Sequence, residues 1–273
     1  MTNVAGTIVD VRDLVRAYYP SGDLADAVID LLAGTGVDVD HLTARDLSVV
    51  DQLHAGGAAA TALVLERLGL AAGTRLLDVG SGLGGPSRMA AEQYQAHVTG
   101  VDLTPELIEA ATELTARVGL EDHCGFSVSS GESLPFDERS FDAAMMIHVG
   151  MNVPDKRSVF AEVHRVLSPG SVFVLYEQVR RGEGELGYPL PWAVDARSSF
   201  VETADDYIAA LTASGFTQVA VEDRTGPVPG APPPGGRLGP ADILGPVYVE
   251  GISHFVAATQ SGLLGGALML ARA

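Results

Sequence analysis

The sequence predicts a doubly wound α/β fold built on a mostly parallel sheet. Three observations carry that expectation. From Arg75 onward, short apolar runs alternate with amphipathic stretches. The first run, Leu76 to Val79, passes into a glycine-rich segment, Gly80-Ser81-Gly82-Leu83-Gly84-Gly85. The second run then ends on an acid, Asp102.

The elements follow in order. Residues 11–33 read as one or two helices, with apolar positions at Leu14, Val15, Leu24, Val28, Leu31 and Leu32 and a break at Pro20-Ser21-Gly22. Residues 46–69 read as helical, with a weak point at Gly56-Gly57. Strands are expected at 75–80, 97–103, 124–129, 141–148 and 171–178, with helices near 84–95, 105–118 and 155–167. Thr104 and Pro105 suit an N-cap and first turn, and Pro154-Asp155 opens a later connection in the same manner. A helix at 204–214 and a strand at 217–223 come next. Gly226 to Pro240 is an irregular Pro/Gly-rich loop, 241–261 is helical in part, and 266–272 reads as a last strand. The expected organisation is an N-terminal helical lid (1–70), a core (71–225 plus 266–273) and a cap insertion (226–265), integrated as one domain.

Hydrophobic residues make up 47% of the 273, enough for a full core. There are 35 acids against 17 Lys plus Arg, a net charge of −18, and Lys156 is the single lysine. Such a field repels nucleic acid and anionic lipid and tolerates a small neutral or cationic partner. The one cysteine, Cys124, permits no internal disulfide, in keeping with a reducing cytoplasm. No signal-peptide pattern and no apolar run long enough to span a bilayer is visible, so a cytoplasmic protein is expected, as monomer or homodimer. No His/Cys set has metal-ligand spacing.

The glycine segment is where chemistry enters. Glycine lets a ligand touch the main chain, and an acid about 20 residues further on suits a ribose diol. Gly80, Gly82 and Gly85 fit the G-x-G-x-x-G spacing of a dinucleotide site. Asp78, inside the strand, argues against that ligand, because a carboxylate there repels a pyrophosphate and suits an ammonium group. S-adenosylmethionine has an ammonium, a sulfonium and a ribose diol and no phosphate. A nicotinamide dinucleotide in an oxidoreductase and a ligand-free turn are the alternatives.

Several segments together resemble the class I S-adenosylmethionine-dependent methyltransferases over about residues 70–225 and the last strand. They are Asp78 to Gly85, Asp102, Gly131-Glu132-Ser133-Leu134-Pro135-Phe136 and Arg165-Val166-Leu167-Ser168-Pro169-Gly170. A narrower likeness rests on Tyr18-Tyr19, Asp51 to Gly57, Met151 to Lys156 and Pro191-Trp192-Ala193. These resemble bacterial small-molecule methyltransferases, a set that acts on sarcosine or dimethylglycine, prenyl diphosphates and indole natural products. The resemblance implies a seven-stranded sheet in the order 3-2-1-4-5-7-6 under an N-terminal helical cover.

It also implies roles. Gly80, Ser81 and Gly82 approach the methionine part of the cofactor, and Asp78 orients its ammonium. Asp102 holds the ribose, Leu103 lies against the adenine, and Gly131, Glu132 and Ser133 reach the adenine edge; the family often has Asp where this chain has Glu132. Gln52 and Gly57 belong to the cover, with Gln52 near the methionine carboxylate. Tyr18 and Tyr19 close over the sulfonium or stack on an acceptor, Tyr19 toward the cofactor. In open parallel sheets ligands sit beyond the carboxyl ends of strands, which places His148 and Met151 near the transferring methyl. Glu177, His148 and His54 are the candidate bases, each with a structural role as the alternative. Trp192, Phe200, Tyr248 and His254 are candidate walls of an acceptor pocket, or core of the cap.

The expected reaction is methyl transfer to a carbon or nitrogen of a small organic acceptor. A diphosphate is disfavoured by the lack of clustered Arg and Lys, and glycine derivatives want an arginine, for which Arg197 and Arg237 are unmarked candidates. An aromatic or indole-type natural product leads. N-methylation of sarcosine-like substrates, an NAD-dependent oxidoreductase and a non-catalytic cofactor-binding module are the other readings.

Overall fold

The computed structural model describes residues 23–226 and 238–273. Its centre is a seven-stranded sheet in the order β3-β2-β1-β4-β5-β7-β6, as the resemblance implied. The strands are β1 (Arg75–Val79), β2 (His97–Asp102), β3 (Cys124–Val128), β4 (Phe141–Ile147), β5 (Leu167–Arg180), β6 (Thr217–Asp223) and β7 (Leu264–Arg272). Strands β1 to β5 pair in parallel, and β7 runs antiparallel to both β5 and β6.

The helices are α1 (Leu24–Ala33), α2 (Ala44–Leu47), α3 (Gly57–Leu68), α4 (Gly85–Tyr94), α5 (Pro105–Arg117), α6 (Lys156–Val166), α7 (Ala204–Ala213) and α8 (Pro240–Gln260). Strand periodicity distributes the core over two faces. On one face Leu77, Ala144, Met146, Phe173 and Leu175 pack with Phe160 and Val163 of α6 and Tyr207 and Leu211 of α7. On the other, Leu76, Met145, Ile147, Val174 and Tyr176 pack with Val64 and Leu65 of α3 and Met89 and Ala90 of α4. The central strands are thereby covered on both faces, which explains their continuous apolar runs.

Departures from the sequence reading have local causes. The helix expected over 46–69 is broken: Thr43 caps a single turn, α2, through a reciprocal bond with Asp46, and Gly56 in the left-handed region (φ 87°) restarts the helix as α3. Strand β5 is longer than expected at both ends: Leu167 pairs with Phe141 of β4, and β7 pairs with β5 as far as Arg180. Helix α8 is interrupted at Gly245 (φ 78°), immediately before Pro246, in keeping with a segment helical only in part. The expected helix over 11–33 is described only from α1 onward, and most of the Pro/Gly-rich loop lies outside the described residues.

Ionisable groups interrupt this core, Asp78 among them. Asp78 of β1 is buried and accepts a hydrogen bond from Ser87 Oγ at 2.6 Å. Burial pushes its carboxyl up from 3.8 to about 7, against the pull of Ser87. A carboxyl raised in the folded state favours folding while protonated and loses that contribution as pH rises toward the folded value. Asp78→Asn should therefore gain stability over the wild type as pH rises from 3.8 to about 7, then hold that gain. Urea denaturation at intervals across that range reads the difference; a gain that does not change with pH would contradict the account.

Candidate active site

A cavity of 390 Å³ opens at the carboxyl ends of β1, β2 and β4. The first wall is the turn after β1. The Gly80 and Ser81 amides both donate to the Val101 carbonyl of β2, at 2.7 and 3.0 Å, which anchors the turn to the neighbouring strand. Gly80 has φ 77°, and a Cβ there would fall 2.2 Å from Val149 Cγ2, so only glycine fits. Ser81 Oγ is buried without a partner among the described residues.

Asp102 closes this wall. One carboxylate oxygen accepts the Gly82 amide at 3.0 Å, and the other accepts the Thr104 amide at 2.9 Å. Thr104 stands at the N-cap of α5 but makes no capping bond through its side chain, so the acid serves the chain turn that the threonine was expected to cap. Burial raises the Asp102 carboxyl while the amides pull it down. Leu103, Gly131 and Glu132 line the same region, with Ser129 and Ser130.

The second wall comes from residues 51–54. Asp51 forms a buried ion pair with Arg88 of α4 at 2.8 Å. Gln52 Nε2 donates to Asp51 Oδ1, and Gln52 Oε1 accepts from Thr61 Oγ1 at 2.6 Å. With that hydroxyl proton committed to Gln52, both oxygens near His54 Nε2 are acceptors, and Nδ1 faces a third, the Ala55 carbonyl. Burial lowers the His54 pKa to about 4.

The third wall is the segment after β4. His148 has φ 54°, unusual for a side-chain-bearing residue, and its amide donates to the Tyr176 carbonyl at 2.8 Å. Its ring lies 5.9 Å from that of His54 and 5.1 Å from that of Tyr176. Burial, with His54 alongside, drives its pKa well below 6.5. Val149, Asn152, Val153 and Pro154 continue this wall. Both imidazoles are therefore neutral near pH 7. Among the described residues, the wall includes Asp51, Asp102 and Glu132 and no Lys or Arg.

Of the expected site residues, Gly80, Ser81, Gly82, Asp102, Leu103, Gly131, Glu132, His54 and His148 line this cavity. Others stand off its wall for identifiable reasons. Asp78 is committed to Ser87, and Gln52 to Asp51 and Thr61. Gly57 begins α3, and the Ser133 amide closes a turn onto Ser130. Met151 and Trp192 belong to a separate apolar cluster with Leu190 and Ala258, where Trp192 Nε1 donates to Ser199. The Phe200 backbone bonds Met151 and Lys156, and the His254 ring contacts the Pro189 carbonyl. Tyr248 lies in α8, its hydroxyl pKa raised to about 12 by burial. Glu177 is committed to backbone amides of the segment after β4. Tyr18, Tyr19 and Arg237 lie outside the described residues. The wall residues that the sequence reading did not assign include Asp51, Leu53 and Asn152. The cue for these was their place inside segments that resembled a family.

Residues 77–175 match the family described as "Methyltransferase domain". The chain is 33% identical over 162 residues to Methyltransferase GfsG of Streptomyces halstedii, covering 59% of this chain and 58% of that protein. It is 32% identical over 167 residues to sterol 24-C-methyltransferase ERG6A of Gibberella zeae, covering 58% of this chain and 43% of that one. It thus spans about half the length of these curated relatives. Among solved structures, geranyl diphosphate C-methyltransferase from Streptomyces coelicolor shares the fold with a TM-score of 0.70, 18% identity and 97% and 98% coverage of the two chains. The [4+2]-cyclase SpnF does so with a TM-score of 0.67, 24% identity and 96% and 95% coverage. Residues 77–175 thus match a methyltransferase domain, and the sheet is that of a Rossmann-like methyltransferase fold.

Proposed function

We propose that this protein transfers the methyl group of S-adenosylmethionine to a carbon or nitrogen of a small, non-anionic organic acceptor, with an aromatic or indole-type compound favoured. One observation carries the reading: Asp102 is tied to the glycine turn on a wall that has carboxylates and no cation among the described residues. A pyrophosphate placed along that turn would face Asp102 and Glu132 with no Lys or Arg on the wall, the Asp51 charge being met by Arg88, which argues against a dinucleotide and against a diphosphate acceptor. An adenosyl sulfonium meets no such conflict. Ser81 Oγ, buried and unpaired, is a further donor toward a ligand on the turn.

In this reading the Gly80 to Gly82 main chain holds the methionine part, Asp102 the ribose hydroxyls, and Leu103, Gly131 and Glu132 the adenine. The cofactor, when bound, supplies an electrophilic methyl on a cationic sulfur. The chain's task is to orient the nucleophile and exclude water, which can supply about 7–11 kcal/mol in well-organised cases. His148 is the residue we assign to proton acceptance. It is uncharged, and it sits on the wall facing the glycine turn across Val149. His54 is less suited, because both of its ring nitrogens face oxygen acceptors, Nε2 meeting Gln52 and Thr61 and Nδ1 lying 3.3 Å from the Ala55 carbonyl. The two rings are close enough that only one takes a proton at a time. Among the described residues no helix is long and apolar enough to cross a membrane.

Calorimetry should show binding of S-adenosylmethionine and S-adenosylhomocysteine and none of NAD. Asp102→Ala should weaken that binding by about 1.5–3 kcal/mol, the range for hydrogen bonds to a charged group. Unchanged affinity would remove the ribose assignment. In a methyl-acceptor panel, indoles and other neutral aromatics should turn over and prenyl diphosphates should not; the reverse pattern, or turnover of sarcosine alone, would overturn the acceptor class.

A further inference from the structure

Glu177 lies fully buried in β5, one strand removed from the cavity wall. Its Oε1 accepts the amides of both Val149, at 3.1 Å, and Gly150, at 2.9 Å. Its Oε2 has no hydrogen-bond partner among the described residues. The segment it holds lines the cavity through His148, Val149, Asn152, Val153 and Pro154, with Val149 against Gly80 of the glycine turn, and it begins with His148 in the left-handed region. The His148 amide meets Tyr176 of β5, and the Asn152 and Val153 amides close onto Val149 and Gly150, while the Val149 and Gly150 amides between them go to Glu177.

The same segment is gripped elsewhere by buried polar groups. Asn152 Nδ2 donates to the Trp192 and Ser198 carbonyls, both at 2.9 Å. Lys156 Nζ donates to the Val153 carbonyl at 3.1 Å and to Phe200 at 2.8 Å, and pairs with Glu202 at 3.2 Å. Gly150 has no room for a side chain: a Cβ would fall 2.3 Å from the Tyr207 hydroxyl. Lys156 from α6 and Tyr207 from α7 are the charged and titratable groups that interact with Glu177.

We infer that Glu177 is a positioning residue, whose carboxylate fixes the 149–150 amides and so holds the His148 ring at the cavity, and that it takes no proton from the acceptor itself. The inference rests on the reading of His148 as proton acceptor. Glutamine offers the same carbonyl-type oxygen to both amides, whereas alanine leaves them unpaired.

The test compares wild type, Glu177→Gln and Glu177→Ala in two ways. The first is nitrogen-15 NMR of the histidine rings in cofactor-free protein, with His148→Asn for assignment. His148 should stay neutral and in one tautomer in wild type and Glu177→Gln, and in Glu177→Ala it should mix tautomers and titrate near 6.5. The second is steady-state kinetics. Glu177→Gln should keep kcat, while Glu177→Ala should lose kcat by about 100-fold, the scale of a 1 Å misplacement, with S-adenosylhomocysteine affinity retained. Loss of turnover in Glu177→Gln with an unaltered His148 spectrum would make Glu177 the base and overturn the inference. So would an unaltered His148 spectrum in Glu177→Ala. If Glu177→Ala does not fold, the glutamine variant alone decides. The expected spectra in a protein that methylates nothing would sustain the positioning and defeat the proposed function.

Discussion

The Arg88 guanidinium is the constraint on which the cavity depends. It is buried to 1% exposure, and its donors reach three separate parts of the chain. Nη2 meets the Leu83 carbonyl of the glycine turn at 2.6 Å and Asp51 of the N-terminal segment at 2.8 Å. Nη1 meets Thr115 Oγ1 at 2.8 Å and the Ala111 carbonyl at 3.3 Å, both on α5. A buried charge is tolerable only when paired and hydrogen-bonded, and breaking such a pair typically costs about 3–5 kcal/mol. Two walls of the cavity and the helix after Asp102 are thus fixed relative to one another by one side chain. The planar guanidinium suits this, since it spreads several donors in a rigid fork, which an ammonium cannot do.

From that frame the electrostatics follow. Asp51 is neutralised by Arg88, and Asp102 spends part of its accepting capacity on Gly82 and Thr104. Both histidines on the wall are held uncharged by burial, so they add no positive charge beside a cationic sulfur. A cationic methyl donor can then be held next to a basic nitrogen without repulsion. The burial that depresses a histidine's pKa also limits the proton's stay on it, which suits transfer onward to solvent more than storage.

Much of this was legible in the sequence. The β1 to β5 strands, the helices between them, the glycine turn and Asp102 all carry local signals of period, turn chemistry and spacing. The order of the sheet came from the family resemblance. Long-range polar partners were not legible. Arg88 and Asp51 are 37 residues apart, and no periodicity links a helix arginine to a loop aspartate. Glu177 was expected at a strand end on the cavity edge, but β5 continues to Arg180. Strand alternation places Glu177 on the face of Phe173, Leu175 and Val179, under α6 and α7, and that parity was the cue for its true surroundings. Gln52 illustrates the same difficulty at short range. The resemblance suggested a ligand contact for it, and its bonds to Asp51 and Thr61 carried no sequence signal.

The central claim is that the walls at residues 51–54, 80–83, 101–103, 129–132 and 147–154 form one cofactor site. Hydrogen–deuterium exchange with and without S-adenosylhomocysteine tests it most directly. The account predicts slowed exchange confined to those segments, the glycine turn and Asp102 most of all. No change on adding the ligand, or protection centred elsewhere in the chain, would contradict it.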